Sequence, residues 1–297
     1  MKKIIVVTGG AGFVGANLIK LLVKKTNLNI ISIDDYSSGY KRNHIKNKKI
    51  KYINSHTKNI SKILRKEKNN INALFHLGEF SRIYQSFLKM NECINSNVIG
   101  TNEVFNFCFK YNIKLIYSAT SATIGNKGAD KNLSHYAYTK AKNLEMLENL
   151  KKWYNFKFEI IYFYNVYGPN QISSGSMATV IGIFEDLYRK KKLLTVVKPG
   201  TQSRRFTHID DTVKACYFAW KQNKSRHYSI SNRESHSILE VAKMFKSKIK
   251  LLAPRRGERY ASALTNMNLS NKVYKIFGKI NLKDHIINIV KNIQKRP

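Results

Sequence analysis

The sequence predicts a doubly wound α/β fold, in which helices flank a parallel sheet, with a smaller C-terminal lobe. Three observations carry that prediction. Apolar β-rich runs alternate with helix-period segments through the first half of the chain. The runs lack the apolar/polar alternation of half-exposed strands, as expected of strands covered on both faces. A glycine-rich loop, TGGAGFVG, joins the first run to the first helix.

In order, Lys2 to Thr8 reads as a strand and Gly12 to about Lys25 as a helix. Leu28 to Ile33, Ala73 to His76, Ile113 to Ser118 and Phe158 to Phe163 read as further strands, with helical stretches between most of them. After Pro169 the pattern is less regular: a helix near Met177 to Lys191, a short strand near Leu194 and a helix from about Asp211 to Lys221.

The glycines of TGGAGFVG fall at Gly9, Gly10, Gly12 and Gly15, and Asp34 follows nineteen residues after Gly15 at the end of the second strand. This is the Rossmann dinucleotide fingerprint in its required context, strand before and helix after. Small residues let the backbone approach a pyrophosphate at a helix N-terminus, where unpaired N–H groups favour an anion. Gly9, Gly12, Phe13, Val14 and Gly15 are the candidate contacts. A carboxylate from Asp34 or Asp35 suits the ribose hydroxyls of NAD and repels the extra phosphate of NADP. NAD is therefore favoured, while Lys41 and Arg42 nearby leave NADP open. Residues 1–166 with about 205–230 are assigned to this NAD-binding domain, and about 167–204 with 231–297 to the lobe.

At 297 residues and 43% hydrophobic, the chain is large enough for a buried core. Met1-Lys2-Lys3 before IIVV imitates a signal peptide, but the apolar run ends after Val7, and no run reaches the ~18 residues of a membrane span. A cytoplasmic protein without membrane attachment is expected. Cys93, Cys108 and Cys216 have no CxxC spacing, which indicates reduced thiols and no metal site. The 53 Lys+Arg against 18 Asp+Glu give a net charge of +35. The bases are spread along the chain without a nucleic-acid-binding motif, so they read as a solvated surface capable of nonspecific polyanion binding.

The stretch SHYAYTKAK holds two Tyr–Lys pairs at i,i+4, Tyr136/Lys140 and Tyr138/Lys142. On a helical wheel Ala137, Ala141, Leu144 and Leu147 form the apolar arc. Tyr136 and Lys140 lie in or beside it, whereas Tyr138 and Lys142 fall on the polar face with Glu145. A lysine at the edge of a buried face is costly unless something compensates its charge. The functional account is direct: an ammonium and a nicotinamide ring would favour the Tyr136 phenolate, able to take a proton from a sugar hydroxyl and return it. Lys140 would also bond the nicotinamide ribose.

With these residues in hand, the chain resembles the extended short-chain dehydrogenase/reductases acting on nucleotide sugars, the UDP-galactose 4-epimerase-like epimerases and dehydratases. The resemblance runs from the glycine loop past Glu258. It implies Tyr136 and Lys140 as the catalytic pair and, in YSATSATIG, Thr120 as the hydroxyl that bonds the reacting oxygen. A one-residue shift would instead select Ser118 or Ser121, the latter also a candidate substrate contact. In FHLGEF it implies Leu77 and Gly78 against the cofactor, and in NVIGT the helix-buried Asn97, also expected among the cofactor contacts. In YNVYGP it places Asn165 on the sugar nucleotide and Tyr164 and Val166 by the nicotinamide. GTQSRRFTHIDD and PRRGE resemble diphosphate-binding segments, implying Arg204 and Arg255.

Dehydratases of this family follow the threonine with one or two carboxylates; here Ser121 and Ala122 stand there, which favours C4 epimerisation through a transient 4-keto sugar. A 4,6-dehydratase or 4-ketoreductase is the alternative, and a nucleic-acid-binding protein on a non-catalytic Rossmann fold is the alternative of another class. Glu79 occupies a position where the family usually has alanine; it is a candidate substrate-site acid or base, or a carboxylate satisfied by local backbone or Arg82. The resemblance further implies a homodimer, through the helix bearing Tyr136 and the one near Asn97 to Tyr111, and a product destined for surface polysaccharide.

Overall fold

The computed structural model describes residues 3–124, 130–254 and 273–295. Its centre is an eight-stranded sheet, every neighbouring pair of which is parallel. The strands are β1 (Ile4–Thr8), β2 (Asn29–Asp34), β3 (Ile50–Asn54), β4 (Ile71–His76), β5 (Lys114–Thr120), β6 (Phe158–Phe163), β7 (His227–Ser231) and β8 (Val273–Phe277), arranged 8-7-6-5-4-1-2-3. Chain order reverses between β1 and β4, so their carboxyl ends open a crevice.

Strand alternation sorts side chains to two cores. Val6, Leu74, Leu115, Tyr117 and Ile160 meet helices α2 (Thr101–Lys110) and α3 (His135–Tyr154) on one face. Ile5, Val7, Phe75, Ile116 and Ile161 meet α1 (Phe13–Lys25) and, further along the chain, Ile209–Gln222 on the other. A buried aliphatic side chain of this kind contributes roughly 1.5–3 kcal/mol. A third core gathers Tyr167, Phe184, Leu194, Val196, Phe206, Val241, Phe245 and Ile286. Strand β8 comes from the 231–297 stretch assigned to the lobe, yet it pairs with β7 in the main sheet.

Three of the strands, β3, β7 and β8, are additional to those expected from the sequence. The helix near Met177 begins later, at Val180, because the Thr179 hydroxyl caps it by accepting from Gly182 N. Helix α3 begins at His135 for the same reason: Ser134 Oγ accepts from Ala137 N at 3.1 Å, which sets Tyr136 in the first turn. Among the described residues, no helix is long and apolar enough to cross a membrane.

Candidate active site

A cleft of about 540 Å³ lies over the carboxyl ends of β1, β4 and β5. Its floor at one end is the glycine loop. Gly9 has φ +68°, and a Cβ there would meet the Leu77 carbonyl carbon and oxygen at 2.7 Å; a Cβ on Gly15 would meet the Gly9 oxygen at 2.1 Å. Gly12 caps α1 without a side-chain hydrogen bond. The helix therefore presents first-turn amides beside Phe13 and Val14, both of which line the cleft, and these fit the pyrophosphate of a dinucleotide.

Asp34 and Asp35 line the same end. Asp34 Oδ2 accepts from Ala11 N at 2.9 Å and Oδ1 from Tyr36 N at 2.8 Å, so this carboxylate also braces the loop. Burial nevertheless raises its pKa above the ordinary value. Asp35 accepts from Ser37 N at 3.0 Å. Leu77 and Gly78 follow β4 and line the cleft; their amides donate to Thr8 Oγ1 at 3.2 and 3.1 Å.

Tyr136 and Lys140 both line the cleft and are both buried. The second pair is separate: Tyr138 is 49% exposed, and Lys142 pairs on the surface with Glu145 at 2.7 Å. Lys140 Nζ donates to the Ser118 carbonyl at 2.6 Å and is ion-paired with Glu79. Burial pushes the lysine pKa down, and the Glu79 charge opposes that. Thr120 and Ser121 lie across the cleft at the end of β5, with Thr120 Oγ1 accepting from Ala122 N at 3.2 Å. Ser118 donates to the His76 carbonyl at 2.8 Å, so its hydroxyl joins β5 to β4. At the far end stand Asn165, Val166 and Arg204; Asn165 Nδ2 donates to the Arg205 carbonyl, and Arg204 Nη1 to the Ser203 carbonyl, each at 2.9 Å.

Three expected site residues lie elsewhere or act differently. Asn97 is fully buried in a π-helical turn, Asn95–Gly100, outside the cleft lining. Its amide accepts from Phe80 N at 2.7 Å and donates to Phe80 O and Thr139 Oγ1, so it splints a loop to α3 without touching the cofactor groove. Tyr164 is turned into the core beside α3, because alternation after β6 sends Phe163 and Asn165 to the cleft and the residue between them away. Glu79 reaches neither Arg82 nor open space for a sugar: its side chain is 2% exposed and paired with Lys140, while Arg82 donates to the Met177 carbonyl at 2.9 and 2.6 Å. Arg255 lies outside the described residues.

Sequence reasoning missed Thr179 and Gln202 and gave Arg82 only as a partner for Glu79, yet all three line the cleft. Gln202 stands inside the motif GTQSRR and could have been read with Arg204; Arg82 and Thr179 carry no local signal.

Residues 5–231 match the family described as NAD dependent epimerase/dehydratase. An ADP-L-glycero-D-manno-heptose-6-epimerase of Brachyspira hyodysenteriae is 27% identical over 256 residues, 82% of this chain and 80% of its own. A putative UDP-glucose 4-epimerase of Methanocaldococcus jannaschii is 27% identical over 301 residues, covering 96% and 97%. The solved structure of a UDP-glucose 4-epimerase with UDP-glucose from Thermotoga maritima superposes with TM-score 0.87 at 22% identity, covering 98% and 99%, which establishes the shared fold.

Proposed function

Because the chain belongs to the NAD dependent epimerase/dehydratase family, we propose that it is a nucleotide-sugar epimerase acting at C4 through a transient 4-keto sugar. Bound NAD supplies the acceptor for the C4 hydrogen. Gly9, Gly12, Gly15 and the first turn of α1 would hold its pyrophosphate, Asp34 and Asp35 its adenosine ribose, and Leu77, Gly78 and Val166 would flank its nicotinamide. Tyr136 takes the proton of the sugar O4 and returns it after the ketosugar has turned over. Lys140 favours the phenolate by its charge, and Thr120 bonds the reacting oxygen with Ser121 beside it. Asn165 and Arg204 hold the nucleotide diphosphate.

One observation carries epimerisation over dehydration. Among the described residues lining the cleft the carboxylates are Asp34, Asp35 and Glu79. The first two sit by the glycine loop and the third is occupied by Lys140. Ser121 and Ala122 after Thr120 provide no acid for a C6 hydroxyl or base for C5. Incubation with UDP-, GDP- and dTDP-sugars, with ADP-heptose added on the strength of the Brachyspira relative, tests this by NMR. Interconversion of C4 epimers without net NADH is expected. A 4-keto-6-deoxy product would select a dehydratase, stoichiometric NADH consumption a reductase, and no conversion of any sugar would refute the proposal.

A homodimer is part of this reading. Val98, Ile99, Phe109, Met146, Trp153 and Tyr154 leave apolar surface exposed along the 95–110 segment and α3. The reading also includes a cytoplasmic enzyme whose product feeds polysaccharide synthesis, and a +35 charge that binds polyanions nonspecifically at low salt.

A further inference from the structure

An ammonium has three N–H donors. On Lys140 one goes to Glu79 and one to the Ser118 carbonyl at 2.6 Å, which leaves one for the cleft. The Tyr117 ring supports the same ammonium, its centroid 4.7 Å from Nζ. Glu79 is itself held from several elements. Its Oε1 accepts from Thr101 Oγ1 at 3.0 Å, from the Tyr117 hydroxyl at 3.0 Å and from Asn143 Nδ2 at 3.2 Å.

The network continues beneath the cofactor cleft. Thr101 Oγ1 lies nearer Glu79 Oε1, at 3.0 Å, than the Ser96 carbonyl, at 3.4 Å; with its hydrogen on Glu79, its oxygen accepts from His76 Nε2 at 3.0 Å. His76 Nδ1 then accepts from Thr8 Oγ1 at 2.7 Å, and that oxygen accepts the Leu77 and Gly78 amides. The assignment requires a neutral His76, and burial pushes its pKa down to about 4. The catalytic lysine is thereby wired through Glu79 to the backbone that lines the cofactor groove.

We propose that Glu79 is a positioning residue: it keeps the Lys140 ammonium charged and fixed against the Ser118 carbonyl, reserving the third N–H for the cofactor ribose and Tyr136. The inference rests on the reading of Tyr136 and Lys140 given above. The titratable groups facing Lys140 are Glu79, His76, Cys93, Tyr117 and Tyr136. Burial keeps His76 neutral, pushes the Cys93 thiol up to about 11 and raises Tyr117 well above its usual range. Glu79 therefore supplies the negative charge, and without it burial, opposed only by the Ser118 carbonyl and the Tyr117 ring, pushes the lysine pKa further down.

The test is NAD binding by calorimetry between about pH 6 and 10 for the parent, Glu79→Gln, Glu79→Asp and Lys140→Met. Above the lysine's midpoint affinity falls tenfold per pH unit with uptake of one proton. At a pH where the parent still binds fully, Glu79→Gln is expected to bind roughly tenfold or more weakly, with proton uptake, and Glu79→Asp to recover most of the loss. Lys140→Met is expected to bind weakly at every pH.

Parent-like pH dependence in Glu79→Gln, with weak binding in Lys140→Met, would overturn the role of Glu79 alone. Parent-like binding and sugar turnover in Lys140→Met would overturn the reading of the lysine itself. If Glu79→Gln fails to fold near neutral pH, folding is expected to return at high pH and in Glu79→Gln/Lys140→Met. Failure of both would refute the inference.

Discussion

Among the described residues, two Lys–Glu pairs shielded from solvent lie at opposite ends of the sheet, and they differ in what surrounds them. Lys114 begins β5, and its Nζ lies 3.1 Å from Glu159 Oε1 on β6 while donating to the Trp220 carbonyl at 2.6 Å. Lys140 likewise has one carboxylate and one carbonyl, Glu79 and Ser118. The remaining acceptor capacity of Glu159 goes to backbone amides, those of Lys224 at 2.8 Å, Ser225 at 3.3 Å and Arg226 at 3.2 Å, which closes the turn entering β7. That pair is a clasp at the amino ends of the strands. The Glu79 pair sits at the carboxyl ends, bordering the cleft with Tyr136 one helical turn away. A buried lysine thus indicates chemistry only when a cleft and a reactive partner accompany it.

The widest separation between the two ends is expected in turnover. Tyr136→Phe and Lys140→Met should each lower sugar conversion about 10²- to 10⁴-fold while folding is retained, whereas Lys114→Met should leave the rate per folded molecule unchanged. Steady-state rates with far-ultraviolet circular dichroism measure both.

Stability should reverse the ranking. Glu159→Ala leaves a half-buried ammonium and three amides without their carboxylate and should cost about 3 kcal/mol in urea unfolding, with NAD affinity of the folded protein unchanged. A smaller loss, or a change in NAD affinity, would remove the distinction between clasp and site.

A pH effect belongs to the cleft end. His76 is fully buried, and its pKa falls from 6.5 to about 4 on folding. The unfolded chain then binds the extra proton between these values, so this contribution is whole above pH 6.5 and is lost as pH falls toward 4. The loss amounts to roughly 3 kcal/mol. His76→Gln should flatten that part of the stability profile relative to the parent. The smallest effect is expected at the surface pair: Lys142→Ala should change neither melting temperature nor turnover measurably, because both partners are solvated.

The Tyr136/Lys140 choice was legible because helical period alone separates an inward pair from an outward one, and Ser134 marks the helix start. Strands β1, β4, β5 and β6 were legible as continuous apolar runs. Strand β3 escaped notice because IKYIN is half-exposed at the sheet edge and lies within a run of bases, and β7, HYSIS, because its polar residues conceal its pairing. The directions of Asn97 and Tyr164 depend on a π turn and on the strand exit. The partners of Glu79 lie 22, 38, 61 and 64 positions away, and only the assembled sheet brings Thr101, Tyr117, Lys140 and Asn143 to one carboxylate.

The most direct measurement of the central claim is turnover in D₂O of the nucleotide sugar identified by the panel, comparing the parent with Tyr136→Phe and reading carbon-bound deuterium by NMR. If Tyr136 removes and returns the O4 proton while the C4 hydrogen stays within the site, the parent yields the C4 epimer with no deuterium on carbon and Tyr136→Phe yields almost none. Deuterium at C5, or equal rates for the two proteins, would contradict the account.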